Sequence, residues 1–349
     1  MLLAKFKSPK PFFTNTGKSH LTCIPMRSLQ VSIIGSIGEV GSNLALLLKQ
    51  NPKISRLQLY DDNENVNKLA MELDCLPGGP SVSAFAGPSM LRPAIRFTDL
   101  ILMVDRTHRK PGIKREQMIF ANAPPVQKLC RAMAEQNSTA FLAMSTSPLN
   151  SIVPFASVLL LNYGSYNPFK VFGITHLDLA RTRSLAGNVL QANPMSLQIP
   201  VIGGHSDETI VPLFSNISPK TYELSERQAD MLTRLIRKAG VEVVNKKYGV
   251  ESATLSMAWA INEFVDCILD ALRGAEVIVN SYTANPHFGT KFFSGPTIVG
   301  PQGLVQPCYE FKLNEYEDKL LDKAIPMISR DVAQGEQYVD VFESFVKKF

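Results

Sequence analysis

The stretch LQVSIIGSIGEVGSNLALLLKQ, residues 29–50, limits what this chain can become more than any other. A short apolar run enters a turn with glycines at 35, 38 and 41, then a segment with Leu44, Leu47 and Leu48 at helical spacing. That order is strand, tight turn, helix, the opening unit of a parallel α/β sheet. Glycines let a backbone approach a ligand closely, and the first helical turn offers N–H groups and the positive end of a dipole to an anion. Two uses stay open at this point: a cradle for a pyrophosphate, or a turn that merely packs a helix on a sheet.

The theme repeats. RLQLYDD reads as a second strand ending in acids, NVNKLAMEL as a helix, and DLILMVD, TAFLAMS and KVFGI as apolar strands of the kind buried in parallel sheets. Strands alternating with helices to about residue 174 predict a doubly wound α/β sheet. Asp61 ends the second strand where a carboxylate accepts hydrogen bonds from an adenosine ribose and repels the extra phosphate of NADP, so glycine turn and acid together favour NAD. The second half differs. SERQADMLTRLIRKAG carries a capping box at Ser225 and Gln228 and a closing glycine, and SATLSMAWAINEFVDCILDALRG and LNEYEDKLLDKAIPMISRDV read as further helices. Strand-like EVIVNSY and PTIVG lie between them, which predicts an α+β domain packed on the first.

Composition excludes several classes. With 349 residues, 45% of them hydrophobic, the chain can bury one large core or two ordinary ones. No apolar run is long enough to span a bilayer, so no membrane partner is expected. Five widely spaced cysteines without a CxxC pair argue against a disulfide framework, against a metal site, and for a reducing compartment. No Asp or Glu precedes Glu39, whereas Lys5, Lys7, Lys10, Lys18 and Arg27 do. An acid-free basic leader over residues 1–27 is the composition of a mitochondrial transit peptide, the alternative being a disordered tail. Those five charges equal the net charge of +5, which leaves the remainder near neutral and without a basic patch for nucleic acid.

Three further segments carry charges suited to chemistry. HRKPGIKREQ sets Arg109 and Arg115 around a Pro-Gly turn beyond the strand DLILMV: either a loop that closes over a carboxylate or a solvated basic loop. THLDLARTR puts Asp178 and Arg181 three residues apart on one helical face: an intrahelical ion pair, or an acid and a carboxylate clamp serving other groups. VIGGHSDETI places His205 behind two glycines, a candidate proton acceptor if a carboxylate orients it.

The ordered set of glycine turn, Asp61, Arg109, Arg115, Asp178, Arg181 and His205 resembles malate dehydrogenases of the mitochondrial and bacterial type, within the lactate/malate dehydrogenase family. The likeness also shows in LLLKQNP, RKPGIKR, SPLNSIVP, LDLAR, IPVIGGHS, AGVEVV and SATLSMA, and covers nearly everything after the leader. It implies a Rossmann-type doubly wound parallel sheet over residues 28–174, followed by an α+β substrate domain over residues 175–349. It further implies NAD as cofactor, malate and oxaloacetate as the substrate pair, a homodimer, and the mitochondrial matrix. By the same resemblance His205 takes the hydroxyl proton, Asp178 stabilises the imidazolium, and Arg115 polarises the forming carbonyl. Arg181 clasps one carboxylate and Arg109 the distal one, Ser147 lies on the substrate, and Gly35, Gly38, Gly41, Asp61, Asn122 and Met257 line the cofactor.

Some positions depart from that family. Ser147 replaces an asparagine that bonds substrate and ribose; Glu39 stands inside the phosphate turn; and Arg106 replaces a small residue, normally glycine, where backbone lies close to the dinucleotide. Arg106 therefore either clashes with a cofactor or pairs with its phosphates. Pro124 and Pro125 fall where the family's helix is unbroken, a place for a kink. Asp207 and Glu208 follow His205 and either point inward, repelling a dianion, or outward and harmlessly. The rival expectation is a catalytically impaired paralogue that keeps the fold as a structural or binding protein.

Overall fold

The computed structural model of the chain describes residues 28–107, 117–247, 253–308 and 310–346. The leader and the arginines at 109 and 115 lie outside the described residues. The opening unit forms as its pattern predicts, with β1 at Leu29–Ile34 and α1 at Glu39–Lys49. Then follow β2 (Ile54–Asp61), α2 (Asn65–Asp74), β3 (Ser81–Ala86), α3 (Leu91–Ile95), β4 (Leu100–Met103), α4 (Met118–Gln136), β5 (Phe141–Met144), α5 (Leu149–Asn162) and β6 (Val171–Ile174). The six strands pair in parallel in the order β3-β2-β1-β4-β5-β6, the doubly wound arrangement. Every residue of β4, β5 and β6 is buried, as continuous apolar runs require when helices cover both faces.

The second half is α6 (His176–Leu190), β7 (Val201–Gly203), β8 (Ile210–Pro212), α7 (Glu226–Lys246), α8 (Leu255–Leu272), β9 (Val277–Ala284), β10 (Phe292–Gly300), β11 (Gly303–Pro307) and α9 (Glu315–Val346). It extends the same sheet: β9 joins β6 antiparallel, with Gly173 opposite Tyr282 and Ile174 opposite Ser281, and β10, β7 and β8 follow. One core lies between the sheet and α1, α2 and α8; another lies between the opposite face and α3, α4, α5 and α9. A third, smaller core packs α6 and α7 around Leu197, Ile199 and Phe214.

Two expectations about helices change. The α7 segment does not stop at Gly240 but runs on to Lys246. Glycine ends a helix when the chain turns left-handed, and Gly240 is not among the glycines with positive φ; VEVVNK continues the helix instead. The pair Pro124 and Pro125 likewise leaves α4 unbroken. These prolines fall in the second turn and forfeit the bonds to the carbonyls of Phe120 and Ala121, both exposed residues whose carbonyls water can serve.

His176, the first residue of α6, is buried edge-on against Phe264, and its Nε2 accepts the Asn280 N–H at 3.0 Å. Burial, aided by the positive charge of Arg183, pulls its pKa down to about 3. The folded chain thus holds this ring neutral where the unfolded chain protonates it. Its contribution to stability is present above pH 6.5 and is lost, at about 1.4 kcal/mol per pH unit, as pH falls from 6.5 towards 3. We expect His176→Gln, which keeps an acceptor for Asn280, to remove about one proton's worth of this slope; urea denaturation at pH 7, 6, 5 and 4.5 measures it, and an unchanged slope refutes it.

Candidate active site

The glycine turn is built for close approach. Gly35 has φ +87°, and a Cβ there would lie 2.5 Å from the Cα of Asp105; at Gly41 it would lie 2.2 Å from the carbonyl oxygen of Gly35. The turn is hung on β2, with the Gly35 and Ser36 amides both donating to the Tyr60 carbonyl at 3.0 and 3.1 Å. Asp61, at the end of β2, accepts from the amides of Ile37 (3.3 Å) and Asn63 (3.1 Å), which ties the acid to the turn. Burial raises the Asp61 pKa, and those two amides oppose the rise. A glycine-spaced turn at a helix N-terminus with a carboxylate on the next strand fits a dinucleotide, pyrophosphate over the turn and ribose against Asp61.

On the other side of the crevice His205 meets Asp178. The Nδ1 of His205 lies 2.6 Å from Oδ2 of Asp178, whose side chain is only 1% exposed. Asp178 occupies the first turn of α6, where the dipole favours an acid. His205 comes from the bend between β7 and β8, and the two meet because both lie where the sheet crosses from β6 through β9 and β10 to β7. The bend is held by Asn150 of α5. Its Oδ1 accepts the His205 N–H at 2.8 Å, and its amide donates to Asp331 at 3.0 Å and to Thr209 at 3.3 Å. Gly204 is required there, since a Cβ would sit 2.6 Å from Thr209 Oγ1 and 2.9 Å from Asn150 Nδ2.

With Nδ1 turned to Asp178, the imidazole presents Nε2 to a cavity of about 100 Å³ lined in part by Arg106, Ser147, Arg181, Gly240 and Met257. Arg181, one turn after Asp178, therefore serves this cavity rather than only its own helix. Gly240 of α7 lines the same cavity, where a Cβ would meet Arg181 Nη1 at an ordinary contact distance of 3.9 Å. Glu208 is exposed, on the outward alternative, and its charge acts on Arg237. Asp207 is half-buried.

The structure thus gathers His205, Asp178, Arg181, Ser147 and Met257, and sets the turn of Gly35, Gly38 and Gly41 with Asp61 along the adjoining crevice. Asn122 is fully buried and does not line the cavity. It receives the Thr107 N–H at 2.7 Å and donates to the Ser147 carbonyl at 2.6 Å, clamping the two loops that frame the cavity. Arg106 reaches across to the Ala253 carbonyl at 3.2 Å; burial lowers its pKa and the charge of Glu39 counteracts that. Asn150 and Asp105 escaped the reading from sequence. Asn150 is one polar residue inside SPLNSIVP, and Asp105 one acid closing an apolar strand, so neither carries a signal until the fold shows its neighbours.

Residues 29–173 match the lactate/malate dehydrogenase NAD binding domain, and residues 175–339 the alpha/beta C-terminal domain of lactate/malate dehydrogenase. Among curated proteins the chain is 36% identical over 311 residues to a mitochondrial malate dehydrogenase of Caenorhabditis elegans, covering 89% of this chain and 91% of that one. The mitochondrial malate dehydrogenase of Bos taurus is 34% identical over the same lengths. Among solved structures, malate dehydrogenase of Cryptosporidium parvum superposes with a TM-score of 0.77 at 21% identity, over 89% of this chain and all 100% of that one. A lactate dehydrogenase from the same organism, complexed with lactic acid and nicotinamide adenine dinucleotide, gives 0.76 at 21%, over 90% and 98%. These two structural likenesses bear on the fold alone.

Asn150 offers a test of how the bend is held. Asn150→Ala leaves the buried amide of His205 and the carboxylate of Asp331 without this partner, which costs roughly 2–3 kcal/mol. Chemical denaturation measures that loss, and a change below about 0.5 kcal/mol would show that the bend holds itself.

Proposed function

Since the chain belongs to the lactate/malate dehydrogenase family, we propose that it interconverts malate and oxaloacetate with NAD, as a homodimer in the mitochondrial matrix. The single observation that carries the chemistry is the 2.6 Å contact of His205 with a buried Asp178 beside Arg181 in one cavity. In this reading NAD, held at the turn of Gly35, Gly38 and Gly41 and against Asp61, would supply the hydride acceptor for the carbinol carbon, and the chain handles the proton and the carboxylates. His205 Nε2 takes the hydroxyl proton, while Asp178 fixes the tautomer through Nδ1 and balances the imidazolium charge. Arg181 grips the carboxylate next to the reacting carbon in bidentate fashion. Arg115 and Arg109 take the roles that the resemblance implies, on the carbonyl and the distal carboxylate. The second cationic carboxylate site is the reason for choosing a dicarboxylate over lactate. Gly35, Gly38, Gly41, Asp61 and Met257 border the dinucleotide, with Asn122 holding the loops against it. Residues 1–27 act as the transit peptide, residues 28–174 as the NAD-binding domain and residues 175–349 as the substrate domain.

One observation favours the rival reading, a paralogue kept for binding rather than turnover: Arg106 spans the cavity to Ala253 beside His205. The decisive assay is oxidation of NADH with oxaloacetate, with pyruvate in parallel, on the chain freed of its leader. We expect turnover with oxaloacetate at least tenfold faster than with pyruvate, and a loss of roughly 10²–10⁴-fold in kcat for His205→Asn or Asp178→Asn. A folded chain that binds NADH yet turns over neither acid would leave the paralogue reading standing.

A further inference from the structure

Asp105 follows β4 at the point where β4 and β1 deliver their carboxyl ends to the phosphate turn. Its Cα and Cβ both lie 2.5 Å from where a Cβ of Gly35 would stand, so the acid is packed against that turn. It thus sets an acid beside the turn over which a pyrophosphate is expected to lie. Tyr60 and Asp61 at the end of β2 and Asp62 just beyond it act on it, with Lys128 from α4 and Arg106 from its own loop. Two carboxylates stand against one lysine, which is itself engaged by Asp62 at 3.4 Å, and Arg106 is directed to the Ala253 carbonyl and towards Glu39. Hydrogen bonds from neighbouring side chains do not offset this charge: Tyr60 donates its hydroxyl to Asp62 at 2.5 Å, and Thr146 donates to the backbone carbonyl of Asp105 at 2.8 Å.

Resting on the reading that this crevice takes NAD, we propose that Asp105 determines cofactor affinity: its carboxylate, set against the turn, opposes the charge of the dinucleotide and takes up a proton when the dinucleotide binds. A dinucleotide brings two further negative charges into a site of low dielectric, where like charges already meet. Protonation removes the repulsion. Burial together with the charges of Asp61 and Asp62 already raises the Asp105 pKa, in the direction this requires. Binding then tightens as pH falls, by up to about tenfold per pH unit for one linked proton.

The test is NADH titration by fluorescence from pH 6 to 8.5 on the whole chain, with calorimetry at pH 7.5 in two buffers of different ionisation enthalpy. We expect proton uptake on binding and a Kd at pH 8.5 at least tenfold weaker than at pH 6. Asp105→Asn, of equal size, and Asp105→Ala should both flatten the profile and bind at least tenfold tighter than the native chain at pH 8.5. His205 and Asp61 are intact in both variants, so a slope that persists in them belongs elsewhere and overturns the assignment. Binding independent of pH, with no proton taken up, overturns it as well while leaving the cofactor reading in place. A folded native chain and variants that bind no NADH at any pH would overturn the cofactor reading, and this inference with it.

Discussion

The parallel pairing of β1 with β4 is the interaction on which the site depends. Val31 to Ile34 run beside Leu100 to Met103, and the strand order reverses at this join, with β2 and β3 on one side and β5 and β6 on the other. Helices leaving the two halves depart to opposite faces, so a crevice opens beyond the carboxyl ends of these two strands. Every group at the cofactor end follows from that. Gly35 has no room for a side chain because β4 delivers Asp105 against it, and Asp61 reaches the turn because β2 lies in register on β1, Ile34 opposite Tyr60. The buried apolar strands supply the stability; the crevice is the place they leave unfilled.

The proton-handling end needs a second join. His205 and Asp178 are 27 residues apart and sit on different elements, the bend after β7 and the first turn of α6. They meet because β9 pairs antiparallel with β6 and β10 then carries β7 back towards the start of α6. A carboxylate as buried as Asp178 is tolerated only with a partner of opposite or shareable charge, and the imidazole is that partner. The glycines before His205 follow from sterics at the bend, where Gly203 at φ +105° and Gly204 leave space for Thr209 and Asn150.

Much of this could be read from the sequence, and the rest was hidden for physical reasons. The glycine turn, the buried strands and the capped start of α7 carry local signals, and they formed where the pattern put them. β3 was missed because it is an edge strand: SVSAFA is half exposed along its length and lacks the apolar run that marks β4 to β6. β7 and β8 were missed because three residues each are too few for a period. Gly240 misled because a glycine reads as a stop in sequence, while here its backbone is not left-handed and α7 runs through it. That His205, Asp178 and Arg181 belong together was legible by resemblance. Asn150 and Asp105 were not, since a buried amide and a strand-end acid take their meaning only from what the fold sets against them.

The charges at the crevice form a pattern that no one of them shows alone. Glu39 sits in the first turn of α1, where the helix dipole stabilises an anion, so the acid favours the helix even as it stands near an anion's expected place. Arg106 brings the opposite charge within range of it, and Asp105 sets a further acid against Gly35. The chain thus supplies internally both kinds of charge that a dinucleotide would otherwise meet at this turn. Such internal pairing lowers the cost of leaving the crevice unfilled and raises the cost of filling it, because each contact must be exchanged rather than formed anew. Affinity for cofactor is then set by how readily the acids are neutralised and Arg106 is redirected, while the glycine framework that receives the dinucleotide is intact. The same exchange reaches the substrate side, since Arg106 ends at Ala253, on the cavity wall shared with His205 and Arg181.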